Sequence, residues 1–342
     1  MNAAQLAAHG IPGQFRLVVL PDPEPGPDEV VVQVRACGLN RLDLWLEEGA
    51  LPIRVQLPKI PGSEISGEII TAGANVSGWR TGDRVAIQSN LFCGSCEFCL
   101  AGEESLCLKG ELLGIHQDGG FADKVLAPAR SLVGLPESVD FKTSAALTLA
   151  GSTAMHMLTN RAQVQPGHWV LVIAGASGVG SAAIQIAQQL GAHVIATAST
   201  EAKRELALRL GAAHVVHSSD PSWPAQVRKI TDKRGVDLII EHVGGAILEQ
   251  AFDCLARGGI IVTCGATAGR DVRLNLWPFF VKQHRLVGSY GRSRADLTKT
   301  LDWAANGRLK AAIDAIFPLH ETPAAFARLR DRSVLGKIVI AP

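Results

Sequence analysis

The sequence predicts an α/β protein in which a mostly β domain precedes a doubly wound parallel-sheet domain. Three observations carry this. Short β-rich runs punctuated by Gly and Pro fill the first ~130 residues. From Val170 onward, apolar strand candidates alternate with helical stretches. One of those strands runs into Gly175-Ala-Ser-Gly178-Val-Gly180 and then a helix.

The chain has 342 residues, 47% of them apolar and 19% charged, enough for a sizeable core in each of about two domains. The early strand candidates are Val30–Arg35, Ile65–Ile70, Asp83–Ile87 and Phe121–Leu126, and the Pro-rich stretch 21–27 reads as turns between strands. Strands of the second domain are expected at Val170–Ala174, His193–Thr197, His214–His217, Val236–Glu241, Ile260–Cys264 and Leu286–Ser289. After Tyr290 a helix near Arg294–Asn306 leads to a last strand, Lys337–Ile340, which returns to the first domain. The expected domains are therefore 1–150, 151–289 and a returning segment, 290–342.

Thirty-three basic against thirty-two acidic residues supply no field to attract nucleic acid or an anionic membrane, and no apolar run is long enough to span a bilayer. The N-terminal Met1-Asn-Ala-Ala-Gln-Leu6 has no basic stretch followed by an apolar one, so a cytoplasmic, reducing compartment is expected.

That expectation bears on Cys93, Cys96, Cys99 and Cys107. Two-residue gaps between the first three let thiolates converge on one tetrahedral ion at about 2.3 Å per Zn–S bond. Four thiolates leave no open position, so the expected zinc is structural; two disulfides, or free thiols, are the alternatives.

The glycine-rich turn lies in the strand–turn–helix context that a dinucleotide needs. Small residues at Gly175, Ser177, Gly178, Val179 and Gly180 let backbone N–H groups approach a pyrophosphate at a helix N-terminus, with Ser177 in place of the middle glycine of the strict fingerprint. At the end of the second strand, about 20 residues on, an NAD site places a carboxylate for the ribose 2′-OH. Ala198 stands there, followed by Ser199, Thr200 and Lys203, whose hydroxyls and cation suit a 2′-phosphate; the expected cofactor is NADPH.

With Cys37-Gly-Leu-Asn40-Arg-Leu-Asp43, Pro61-Gly-Ser-Glu64-Ile-Ser-Gly67-Glu68, Gly82-Asp-Arg-Val85, the four cysteines and the glycine turn together, the chain resembles the medium-chain dehydrogenase/reductase superfamily over its whole length. This superfamily includes the zinc alcohol dehydrogenases and quinone oxidoreductases. The resemblance implies a GroES-like catalytic domain built from both chain ends, a Rossmann domain between them, an active site in the cleft and a homo-oligomer, dimer or tetramer. By family position Cys37, Asn40, Asp43 and Glu64 are the catalytic candidates, with Asn40 the best donor and Asp43 an orienting group. Val243, Cys264, Gly265, Ala266, Ser289 and Tyr290 should lie along the cofactor. Trp277, Phe279 and Phe280 are candidates for a pocket wall, a subunit interface or core.

Zinc alcohol dehydrogenases of the family hold a catalytic metal with a cysteine, a histidine and a second cysteine. The matching positions here are Cys37, Ser63 and Leu149, while His116 and His156 lie outside them. Without that Lewis acid the substrate must itself be electrophilic: an enone, enal, enoyl thioester or quinone. The expected activity is NADPH-dependent reduction of such small molecules. The alternatives are an alcohol dehydrogenase with atypical zinc ligands and a non-catalytic NADPH-binding protein. Members that use a tyrosine after the Asn40 segment differ from this chain, where 44–49 has none, so water is the expected proton source.

Overall fold

The computed structural model describes residues 1–342 as two units: Met1–Ser152 with Gly291–Pro342, and Thr153–Tyr290. The chain thus changes unit two residues after the first expected boundary and one after the second.

The first unit is built on a seven-stranded sheet. Its spatial order is Ile313–Pro318, Lys337–Ala341, Glu29–Leu39, Glu64–Ala72, Arg84–Ile87 and Leu132–Gly134, and Lys124–Pro128 also pairs with Glu29–Leu39. The β-branched run Val30, Val31, Val32 and Val34 is buried, which explains why Glu29–Leu39 forms the central strand. Its partners are antiparallel, and their register places Cys37 opposite both Ile65 and Ile340, and Gly38 opposite Glu64 and Val339. A polar cluster is thereby set among strands whose other side chains, Ile65, Ile69, Val85 and Ile87, share one core with Phe121.

Two local expectations change. The first 19 residues form an antiparallel pair, Asn2–Ala8 with Gln14–Val19, that the sequence reading did not include. The expected strand Phe121–Leu126 is regular only over Lys124–Pro128. Phe121 and Asp123 spend their backbone groups on the N-terminal strand instead, through Ala4 N–H to Phe121 O and Asp123 N–H to Asn2 O.

In the second unit six parallel strands lie in the order His214–His217, His193–Ala198, Trp169–Val172, Val236–Glu241, Leu255–Thr263, Arg285–Gly288. Numbered along the chain this is 3-2-1-4-5-6, the doubly wound arrangement, with its reversal between the first and fourth strands. Leu171, Ile173, Ile195, Val216, Ile239 and Ile261 are buried together at its centre, as parallel strands covered on both faces require. No helix is long and apolar enough to cross a membrane.

Candidate active site and metal centre

The four cysteines meet. Their sulfurs lie within 4.8 Å of one another, and this is the one group of three or more His, Cys, Asp or Glu side chains so placed. Sulfur separations are 3.9 Å for Cys93–Cys99, 3.5 Å for Cys96–Cys99 and 3.9 Å for Cys96–Cys107. A tetrahedron of Zn–S bonds near 2.3 Å has edges of about 3.8 Å, so the set fits a zinc ion. Local geometry prepares it: Gly94 takes a left-handed φ of 76°, and N–H groups of Cys93 and Cys96 donate to Cys107 Sγ and Cys93 Sγ at 3.2 and 3.3 Å. Donors from Ser95 and then Cys96 pull the Cys93 thiol down to about 5, favouring the thiolate that a metal takes.

A second cluster forms around Glu64, whose side chain is fully buried. Its Oε1 accepts the N–H groups of Leu149 at 2.6 Å and Ala150 at 2.9 Å. Its Oε2 is 2.6 Å from Lys337 Nζ and accepts Asn40 Nδ2–H at 3.0 Å. Lys337 also donates to Leu39 O at 2.8 Å and Asn40 Oδ1 at 2.6 Å, which uses all three ammonium protons. Gly38 has to be glycine, since a Cβ there would collide with the Glu64 carboxylate and the Ala145 carbonyl.

Asn40 and Asp43 form a capping box on the helix Arg41–Glu48. Asp43 Oδ2 accepts Asn40 N–H at 2.8 Å, and its Oδ1 accepts Gly62 N–H at 3.2 Å. Burial pushes the Asp43 carboxyl up to about 7 despite these donors. Cys37 lies fully buried against Gly62 and Gly120, and burial raises its thiol far above the usual range. Ser63 donates its hydroxyl to Leu113 O at 2.7 Å. His116 serves a turn, its Nδ1 accepting Leu112 N–H at 3.0 Å, and His156 is buried.

In the second unit, Ser177 is the N-cap of the helix Gly178–Gln189, its Oγ accepting Gly180 N–H at 2.9 Å. Gly175 and Gly180 allow close packing: a Cβ on the first would lie 2.8 Å from Ala196 Cβ, and one on the second would strike the Ala174 carbonyl. Gly178 and Val179, the first two residues of that helix, are half-buried. Ala198 ends its strand buried, while Ser199 and Thr200 are exposed. Thr200 caps the next helix and accepts Lys203 N–H at 3.4 Å. Val243 and Gly244 give their N–H groups to Glu241 Oε1, and Cys264, Gly265 and Ala266 are half-buried just beyond the strand Leu255–Thr263. Ser289 is buried, with its N–H on Thr263 O at 2.8 Å, whereas Tyr290 is exposed.

Three neighbours of the predicted residues were not singled out from the sequence. Lys337 reads there as the charged start of a strand, and Arg204, ion-paired with Glu201 at 2.9 Å, as an ordinary helix residue. His242 follows the strand Val236–Glu241 and bonds Ser177 Oγ through Nε2 at 2.9 Å. The aromatic group falls outside the core: Trp277 and Phe280 are exposed, and only Phe279 is partly packed, against Phe252 and His284.

Known proteins bear on the fold and the family. Residues 26–137 match the alcohol dehydrogenase GroES-like domain family, and residues 178–306 match the zinc-binding dehydrogenase family. An alcohol dehydrogenase of Geobacillus stearothermophilus is 32% identical over 343 residues, covering 99% of each chain. Among solved structures, an NAD-dependent alcohol dehydrogenase has 38% identity and a TM-score of 0.96 over all of both chains. A crotonyl-CoA carboxylase/reductase has 28% identity and a TM-score of 0.91 over all of this chain and 88% of that one. Fold and matches together define a two-domain, zinc-type oxidoreductase. The chain belongs to the medium-chain dehydrogenase/reductase superfamily.

Proposed function

We infer that this chain is an NADPH-dependent reductase of activated double bonds or quinones that works without a catalytic metal. The observation that carries the reading is the set of side chains where family alcohol dehydrogenases hold their catalytic zinc. Cys37 is one donor, but Ser63 is committed to Leu113 O and Leu149 has no ligand atom in its side chain. The adjacent Glu64 has both oxygens engaged, by Leu149, Ala150, Lys337 and Asn40. A catalytic zinc normally takes three protein ligands. An unactivated carbonyl would then go unpolarised, whereas an enone, enal, enoyl thioester or quinone is electrophilic already.

Bound NADPH supplies the hydride. The protein's part is to orient the acceptor and receive the charge that develops on its oxygen. Asn40 suits this task, because one Nδ2 proton is held by Glu64 while its other contact, to Gly38 O, is long at 3.3 Å and easily exchanged for a substrate oxygen. Lys337 on Asn40 Oδ1 polarises the amide and makes it a better donor. Asp43 fixes the Asn40 backbone, and the final proton comes from water. The likeness to an enzyme named for crotonyl-CoA, a conjugated thioester, supports this acceptor class.

The relatives named alcohol dehydrogenase favour a second reading, alcohol oxidation at an atypical zinc site. One experiment separates them: zinc per chain by elemental analysis, alongside NADPH oxidation with 2-alkenals, enones and benzoquinones and NADP⁺ reduction with alcohols. We expect one zinc and turnover of the electrophiles. Two zincs with chelator-sensitive alcohol oxidation would overturn the reading, and NADPH binding without any turnover would point to a non-catalytic binding protein.

The choice of NADPH rests on Ala198, Ser199, Thr200 and Lys203, with Arg204 one residue on. Lys203→Ala is expected to raise the Michaelis constant for NADPH about tenfold, as loss of one charged hydrogen bond does, and to leave that for NADH nearly unchanged. Equal changes for both cofactors would defeat the assignment. A homo-oligomer, dimer or tetramer, completes the proposal. Arg285–Gly288 is an edge strand, and exposed Leu276, Trp277, Phe280, Val281 and Leu286 lie on it or on the helix before it.

A further inference from the structure

The chain returns to the first unit at Gly291, and the residues that receive it are those that root the four-cysteine lobe. That lobe is a loop closed at its base by a short antiparallel pair, Asn90–Leu91 with Glu111–Leu112, which flanks the stretch Cys93–Cys107. Arg292 lies buried against the first of these strands, at 2% exposure. Its guanidinium donates to Asn90 Oδ1 at 2.8 Å and to Ser89 Oγ at 2.6 Å, and its carbonyl accepts the Gln88 amide. Gly291 has a φ of 63° and no room for a side chain, since a Cβ there would stand 2.9 Å from the Asn90 amide.

A second hold comes from inside the lobe. Glu104, in the turn between Cys99 and Cys107, accepts Arg294 N–H on Oε2 at 2.6 Å. Arg294 opens the helix Arg294–Ala305, where an N–H has no partner within the helix and a carboxylate meets the favourable end of its dipole. The Arg294 guanidinium reaches Arg130 O at 3.0 Å, and Arg130 Nε donates in turn to Phe92 O, beside Cys93, at 2.8 Å.

These acceptors depend on the lobe keeping its shape. The helix Glu97–Leu100 and the turn Glu104–Leu106 bury no residue, so the convergence of four thiolates on a metal is what fixes Glu104 in place. A buried guanidinium, likewise, is favourable only while its acceptors hold still.

We propose that the four-cysteine lobe is a clamp on the returning segment Gly291–Arg294, so that its metal occupancy sets how firmly the chain is seated where it re-enters the first unit. Loss of the metal frees Glu104, opens the Arg294 N–H and loosens the strand under Arg292. The coupling runs both ways, because whatever loosens the segment weakens the hold on the metal by the same free energy.

Hydrogen exchange read by mass spectrometry tests the first direction, with zinc per chain measured on the same samples. Glu104→Ala leaves the four thiolates untouched. The peptide spanning 291–296 is expected to exchange about tenfold faster with the metal retained, the effect of losing one hydrogen bond to a charged group. Cys107→Ser, which takes the metal away, should free that peptide at least as much, although the two segments lie far apart in sequence. A peptide as protected as in the parent while 93–107 exchanges freely would overturn the proposal, and so would a parent chain that holds no zinc. The reverse direction uses Arg292→Lys, which keeps the charge but loses the fork that spans Ser89 and Asn90. Its zinc affinity, measured by competition with a chromogenic chelator, is expected to be several-fold weaker than that of the parent; an unchanged affinity would leave lobe and segment uncoupled and defeat the clamp. Should Cys107→Ser or Arg292→Lys not fold, Glu104→Ala still decides, since an unmoved 291–296 peptide in that variant contradicts the hold by Glu104.

Discussion

Replacing Cys107 with Ser is expected to release the zinc and unfold the segment Cys93–Cys107 while the second unit stays intact. The reason is that this segment has almost nothing else to hold it. The helix Glu97–Leu100 and the short turn Glu104–Leu106 contain no buried residue, and Leu100 and Leu106 are exposed. Its ties to the rest of the unit include Arg294 N–H donating to Glu104 Oε2 at 2.6 Å, while Arg130 Nε donates to the carbonyl just before it, Phe92 O, at 2.8 Å. Without a local apolar core, metal binding and local folding become the same free energy, about 10–16 kcal/mol apparent in isolated zinc fingers. Limited proteolysis should therefore cut the variant between residues 93 and 107 at a protease concentration that leaves the parent whole, and elemental analysis should find the structural zinc gone. A variant that stays uncut and retains its zinc would show that the lobe is held by packing instead.

Much of this lobe was legible in advance because thiol spacing is a local property. The same holds for the glycine turn, where strand, small residues and helix follow one another in the chain. The second-unit strands were placed within a few residues, since long apolar, β-branched runs leave little choice of structure. Features that depend on distant partners were not legible. The N-terminal strand claims the backbone of Phe121 and Asp123, and neither segment says so alone. His242 ends a strand like many others, and only the fold brings Ser177 to it. For Asn40 and Asp43 a physical signal was available: Asn-x-x-Asp before a helical run is a capping box, which accounts for the spacing independently of any chemistry. For Trp277 and Phe280 composition left pocket wall, subunit interface and core all open, and their exposure removes only the core alternative.

The Lys337–Glu64 pair gives the other large expected effect. Both side chains are buried, at 5% and 0% exposure, so neither charge can turn to water. Lys337→Met removes the cation and leaves a buried carboxylate supported only by Asn40 and the N–H groups of Leu149 and Ala150. Breaking a buried pair from one side typically costs about 3–5 kcal/mol, whereas replacing both partners by neutral groups of similar volume is often nearly neutral. Urea unfolding should accordingly show Lys337→Met losing stability on that scale, and Lys337→Met combined with Glu64→Gln recovering most of it. A single variant that costs less than about 1 kcal/mol, the range of exposed pairs, would mean that solvent reaches the site. Activity should not recover with stability in the double variant. Asn40 Oδ1 has then lost the ammonium that orients and polarises its amide, and turnover of a conjugated acceptor should stay low while the Michaelis constant for NADPH, read from the other unit, is unchanged. Recovery of both together would remove Asn40 from the proposed chemistry and leave the cluster a purely structural one.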